Sequence, residues 1–226
     1  MKDLYIVFGS ETKLLKELFL KSNVFFIRIY NNRVPSKLSN AVDVNSFENF
    51  KSEFENIFKK DKPKRVIFLG AAFLVQNNLL IMEKQSDLDS MLETNISSYV
   101  KYSRYLIPFM LKIKSGQFIF LSSFRAVTTA RGISVYSASK AFCEKFFETI
   151  GIEYGSHGIY STSIRLGCME GRMIDVIQDD YKENLLKNVG SKRLGNSNDV
   201  LNTIDFILEN NYVSGGVIDL TSGISF

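Results

Sequence analysis

Gln117-Phe-Ile-Phe-Leu121 runs into Ser122-Ser123, and after a loop comes Tyr136-Ser-Ala-Ser-Lys140, the start of a helical pattern. A short apolar run of this kind reads as a strand buried on both faces, as the strands of parallel sheets are. Ser123 then stands at the carboxyl end of that strand, the edge at which open parallel sheets bind their ligands. Tyr136 and Lys140 are four apart. On a helix that spacing puts both side chains on one face, one turn from each other. A nearby ammonium favours phenolate over phenol, drawing a pKa of about 10 toward neutrality, and a tyrosine so placed can act as a general acid or base. A bare Tyr-x-x-x-Lys is also an ordinary helix face, so its surroundings decide.

Working outward, apolar runs alternate with longer helical patterns along the whole chain, the signature of βαβ units and a parallel sheet. Leu4 to Phe8 is followed by Gly9-Ser10 and by Leu14, Leu15, Leu18 and Phe19 at helical spacing. Val24 to Tyr30 and the short Ala41-Val-Asp43 are the second and third strands. A helix with Phe47, Phe50, Phe54, Ile57 and Phe58 on its inner side follows, a stripe that reads as core packing. Val66 to Leu69 is closed by Gly70-Ala71-Ala72, small residues that let backbone or a ligand come close. A helix from Leu88 to Tyr105 contains Asn95, and the helix of Tyr136 runs to Tyr154 and ends at the Gly155-Ser156-His157-Gly158 turn. Tyr160 to Leu166 is the sixth strand and stops at Gly167. Asp199 is expected to cap a last helix to about Glu209, and Val217 to Leu220 is the seventh strand. The expected fold is α/β, a single-domain Rossmann-like doubly wound parallel sheet of about seven strands over residues 1–226, with helices on both faces.

The 226 residues, 45% hydrophobic and 23% charged, suit one globular domain. No apolar run is long enough to span a bilayer, and the amino terminus passes straight into a strand, so a cytoplasmic protein without membrane contact is expected. Cys143, Cys168 and the single histidine, His157, offer no metal-ligand spacing and argue against zinc or histidine chemistry. A net charge of +4 with dispersed basic residues gives no case for a nucleic-acid partner. The cluster from Lys59 to Arg65 reads as a solvated turn at a helix carboxyl end.

Taken together these residues resemble the short-chain dehydrogenase/reductase family over essentially the whole chain. Asn95 in Thr-Asn-Ile, Ser123 closing Leu-Ser-Ser, Tyr136-x-x-x-Lys140 and the terminal Ser214-Gly215-Gly216 stretch fall where that family places its catalytic tetrad and last strand. The resemblance implies hydride transfer between a nicotinamide cofactor and an alcohol or carbonyl carbon. Tyr136 would give or take the proton, Ser123 would hold the substrate oxygen, Lys140 would lower the tyrosine pKa and bind the nicotinamide ribose, and Asn95 would kink its helix and hold a water. Asp43-Val44 is similar to the family's adenine-contacting pair. The family commonly pairs the helices around Leu92–Tyr105 and Tyr136–Tyr154 across a two-fold axis, so a homodimer or homotetramer is implied.

Three departures qualify the resemblance. The phosphate loop keeps only Gly9 in Gly9-Ser10-Glu11-Thr12-Lys13, which implies a displaced loop or weakened cofactor affinity. Leu69-Gly70-Ala71-Ala72 stands for the family's Asn-Asn-Ala-Gly. Leu166-Gly167 stands for its Pro-Gly, and the threonine that follows is lost. A cofactor would therefore meet Gly9, Ser10, Thr12, Lys13, Asp43, Val44, Gly70, Ala71 and Gly167 as well as Tyr136 and Lys140. Arg28 stands where a family member selecting NAD carries an aspartate, and an arginine there can accept a 2′-phosphate, with Arg33 assisting. NADP(H) is therefore expected over NAD(H). The competing reading is a protein of this fold that has lost cofactor binding and serves as a binding or scaffold subunit. Arg125, Arg131 and Arg172 are candidates to greet an anionic substrate group, or are surface charges.

Overall fold

The structure, a computed structural model, describes residues 2–10, 12–30, 38–71, 73–75, 78–171, 183 and 185–224. Its sheet has seven strands: β1 (Asp3–Phe8), β2 (Val24–Ile29), β3 (Ala41–Val44), β4 (Val66–Gly70), β5 (Gly116–Ser123), β6 (Ile159–Leu166) and β7 (Gly216–Leu220). They lie in the order β3-β2-β1-β4-β5-β6-β7, and every pairing is parallel. Leu4, Ile6, Phe68, Phe118 and Phe120 point to one face, while Tyr5, Val7, Ile67, Leu69, Ile119 and Leu121 point to the other. That is the period of two that a strand imposes, and since both faces are covered neither set needs to be polar.

The first face carries α1 (Phe47–Asp61), α3 (Ser98–Ile113) and α4 (Ser134–Tyr154). The phenylalanine stripe of α1 is core, as its spacing predicts. Phe50 meets Tyr102 edge-on at 4.9 Å and Phe54 meets Phe109 at 4.9 Å. Such pairs add about 0.5–1.5 kcal/mol each beyond the area they bury. A short α2 (Gln85–Leu92) passes into a π-helical turn, Glu93–Ser97, before α3 begins. The single helix expected around Asn95 is thus widened at Asn95 itself.

The second face is covered by α5 (Ser197–Glu209), through Val200, Ile204 and Ile207, and by two 3₁₀ turns, Lys13–Leu15 and Leu18–Leu20. Here the structure corrects the helix expected after β1. Leu15 ends the first turn, Leu18 begins the second, and both are buried. Two short turns therefore bury the leucines without a continuous helix. Asn196, rather than Asp199, caps α5. Its Oδ1 accepts from Asp199 N at 3.2 Å, while Asp199 Oδ2 accepts from Asn196 N at 2.9 Å, a reciprocal capping box.

Candidate active site

Ser123 is the last residue of β5, and its Oγ accepts from Arg125 N at 3.2 Å. The same hydroxyl shares a side-chain hydrogen bond with Tyr136, in the first turn of α4. One turn on, Lys140 is 2% exposed, and its Nζ donates to Leu121 O at 2.9 Å, at the end of the same strand. Asn95 lies in the π turn, with its side chain pairing with both backbone groups of Leu74: Oδ1 accepts from Leu74 N at 2.7 Å and Nδ2 donates to Leu74 O at 2.9 Å. Nδ2 also reaches Ser139 Oγ at 3.2 Å, and the Asn95 carbonyl accepts from the Cys143 thiol at 3.0 Å. Asn95, Ser123, Tyr136 and Lys140 are thereby gathered where β4 and β5 end against α4.

The electrostatics depart from the sequence expectation. Tyr136 lies above the ordinary phenol value because burial dominates, with the Ser123 hydrogen bond and the charge of Arg125 pulling the other way. Lys140 is not among those influences. Its ammonium is 5.9 Å from the Tyr136 ring centroid and is spent instead on the Leu121 carbonyl and on two ring faces, Phe73 and Phe120, each at 4.7 Å. Burial brings Lys140 itself down to about 8, against smaller opposing pulls from Cys143 and Glu144. Desolvation of both groups outweighs the ammonium–phenol attraction on which the lowered tyrosine pKa depended.

Glu144, Arg165 and Phe73 are missing from the sequence reading. Glu144 is 5% exposed, one turn beyond Lys140. It accepts from Ser122 Oγ at 2.6 Å, from Arg165 Nε at 3.1 Å and from the second guanidinium arm at 2.8 Å, and Arg165 continues to Asp219 at 2.8 Å. This chain ties α4 to β5, β6 and β7 directly behind the site. For Glu144, its place one turn after Lys140 on the same helix was the available signal. Phe73, half-buried, was signalled only as the first bulky residue after Gly70-Ala71-Ala72.

The opposite end of the sheet edge is more closed. Gly9 has φ +87°, as a tight turn after β1 requires. Gly9 N donates to Ile29 O at 3.1 Å and Thr12 N to Gly9 O at 3.3 Å. Ser10 is buried with its Oγ 3.5 Å from Ile29 O, and Thr12 Oγ1 accepts from Leu14 N at 3.4 Å. These groups satisfy one another. Lys13 is exposed and begins a three-residue 3₁₀ turn rather than the helix expected after β1. Arg28, 2% exposed, is held bidentately by Asp43 at 2.7 and 2.9 Å, and Val44 is buried in the core cluster that includes Phe50. The close approaches that Gly70 and Gly167 permit are taken by protein. A Cβ on Gly70 would lie 2.5 Å from the Tyr99 ring, and one on Gly167 would lie 2.8 Å from Thr221. Ala71 is buried, its N–H on Phe8 O at 2.7 Å. Arg131 is exposed, and Arg125 packs on the Phe124 ring at 4.4 Å. Ala72, Arg33, Arg172 and Glu11 lie outside the described residues. No described helix is long and apolar enough to cross a membrane, and the described residues hold no cluster of potential metal ligands.

The chain is similar to known proteins. The chain is 27% identical over 160 residues to a 3-oxoacyl-[acyl-carrier-protein] reductase FabG of Staphylococcus epidermidis, a match spanning 70% of this chain and 66% of that protein. Among solved structures it resembles ElxO with NADP bound, at TM-score 0.84 and 20% identity over 99% of this chain and 98% of the other. It also resembles a 4-hydroxyisoleucine dehydrogenase complexed with NADH, at TM-score 0.82 and 16% identity over 98% of each chain. The family model of the short chain dehydrogenases matches residues 31–182, a range that includes Asn95, Ser123, Tyr136 and Lys140, and the chain belongs to that family.

Proposed function

We propose that the protein is an NADP(H)-dependent oxidoreductase that interconverts a small-molecule carbonyl compound and its alcohol. The observation that carries this reading is the Ser123–Tyr136 hydrogen bond at the end of β5, with the Lys140 ammonium buried one turn below it. The cofactor, when bound, supplies or accepts the hydride. Among the described residues the Lys140 ammonium has one oxygen partner, Leu121 O, and otherwise faces rings, so its remaining donors suit the hydroxyls of a ribose. Ser123 Oγ and Tyr136 would hold the substrate oxygen between them. A phenol held above its ordinary pKa is protonated at neutral pH, so Tyr136 is set to donate in the direction of carbonyl reduction. Asn95 holds the backbone of Leu74, next to Phe73, whose ring lies 6.2 Å from that of Tyr136.

The NADP-bound ElxO structure and the FabG relative support this reading, as does the family's use of small-molecule substrates. The helices α3 and α4 would pair two copies of the chain, with Phe142 and Ile152 of α4 exposed for the purpose. The single domain over residues 1–226, the cytoplasmic setting and the absence of nucleic-acid or membrane partners belong to the same proposal.

Tyr136→Phe tests it. Carbonyl reduction by NADPH across a panel of ketones and aldehydes should fall by about a thousandfold or more, as loss of a general acid together with its oxyanion contact does, while NADPH binding persists. Retention of most of the wild-type rate would reject the mechanism.

A further inference from the structure

Lys140 is the one group of the site whose surroundings do not match its chemistry. An ammonium has three donors and no acceptor. Here one donor meets Leu121 O at 2.9 Å, and the charge is otherwise enclosed by the rings of Phe120 and Phe73, each 4.7 Å from Nζ. The two rings differ in kind. Phe120 belongs to β5, is fully buried, and stacks on Phe147 at 5.3 Å within the core between sheet and helices. Phe73 lies beyond the end of β4, is only half-buried and so partly reaches solvent, 6.2 Å from the Tyr136 ring. The neighbouring Leu74 has its backbone N–H and C=O both held by the Asn95 side chain, so the ring is held over the ammonium from a fixed backbone position.

We propose that Phe73 is the residue that sets access to Lys140: its ring occupies the position that ligand hydroxyls would take over the ammonium, and it must turn away before a ribose can bind there. This rests on the oxidoreductase reading for the identity of the ligand, though not for the cover itself. A ring face is a weaker partner for a cation than two hydroxyl oxygens, so the ring yields to a diol while opposing its entry.

The cover can be measured without cofactor. Wild type and Phe73→Ala are treated with an N-hydroxysuccinimidyl acetate at pH 8.5, and acetylation is mapped by peptide mass spectrometry, with the exposed Lys145 as internal reference. Lys140 should be protected in wild type and acetylated about tenfold faster in the variant, while Lys145 is unchanged. NADPH titration of the same two proteins should show about tenfold tighter binding by the variant, the size of one ion–ring contact no longer displaced. Circular dichroism checks the fold, and Phe73→Val, whose short side chain also uncovers the ammonium, carries the same comparison if the alanine variant does not fold.

Faster Lys140 acetylation with tighter NADPH binding supports the proposal. Faster acetylation with no NADPH binding by either protein upholds the cover and rejects the cofactor reading. Unchanged Lys140 acetylation overturns the cover. Faster acetylation with weaker NADPH binding overturns the claim that the ring opposes the ligand.

Discussion

Arg28 and Asp43, partners across the β2–β3 register, form a bidentate ion pair at 2.7 and 2.9 Å in which the arginine is almost wholly buried. The cation expected to receive a cofactor 2′-phosphate thus already has a counter-charge. A phosphate would compete with the Asp43 carboxylate for the same planar fork.

It follows that Asp43 tunes the NADPH preference attributed to Arg28. Asp43→Asn should raise the ratio of NADPH to NADH affinity by about tenfold, through release of one charge-assisted contact. Arg28→Ala should abolish the ratio and also lower stability, since it strands a partly buried carboxylate. Fluorescence titration of both reduced cofactors against the three proteins decides this. An unchanged ratio in both variants would show that Arg28 does not read the phosphate.

The buried ammonium gives a pH signature. Lys140 titrates near 8 in the fold, against 10.5 for an ordinary lysine. Between those values the unfolded chain holds a proton that the folded protein has released, so this group makes stability rise with pH across the interval. Below pH 8 the folded state carries the full desolvation cost, on the order of 3 kcal/mol. Cys143 and the buried tyrosines Tyr5 and Tyr102, all shifted upward, act in the opposite sense once pH passes their ordinary values. The difference between wild type and Lys140→Met isolates the lysine. In urea unfolding the methionine variant should be the more stable at pH 7, with its advantage shrinking steadily from pH 8 to 10. A gap that does not vary with pH would place the cost elsewhere.

Behind the site, Glu144 and Arg165 have side chains only 7% and 15% exposed. Removing one partner leaves a buried charge, so Glu144→Leu and Arg165→Leu should each cost about 3–5 kcal/mol in chemical denaturation. The double variant should cost clearly less than their sum, with a coupling of about 2 kcal/mol. Simple additivity would mean that Ser122 and Asp219 satisfy the two residues independently.

Much of this was readable from the chain because it is local. The seven strands follow from short apolar runs, and the meeting of Ser123 with Tyr136 follows from a strand end and a helix start only a loop apart. Lys140 follows from Tyr136 by one helical turn. What the chain concealed depends on contacts between distant segments. The helix expected after β1 gives way to 3₁₀ turns because α5, more than 170 residues later, covers Leu15 and Leu18. The Arg28–Asp43 pair needs the parallel register of β2 and β3. The ring of Phe73 over Lys140 needs the end of β4 brought near α4, and it is the burial of Tyr136 and Lys140 that reverses the expected electrostatics of the pair.

The two coats of the sheet differ in how firmly they are sewn. One is three long helices interlocked by aromatic rings. The other, beside the Gly9 loop, has turns closed by single bonds such as Lys16 N to Lys13 O and Lys21 N to Leu18 O, joined to α5 by the apolar packing of Leu15 and Leu18 and by a Lys21–Asp205 ion pair. Backbone amides of residues 13–21 will therefore exchange with solvent deuterium long before those of α3, by small openings that leave the aromatic layer intact. A nucleotide settling its phosphates on this side would have to still those openings first, so part of its binding energy goes into quieting the segment it lands on, and its arrival would be recorded there as slowed exchange.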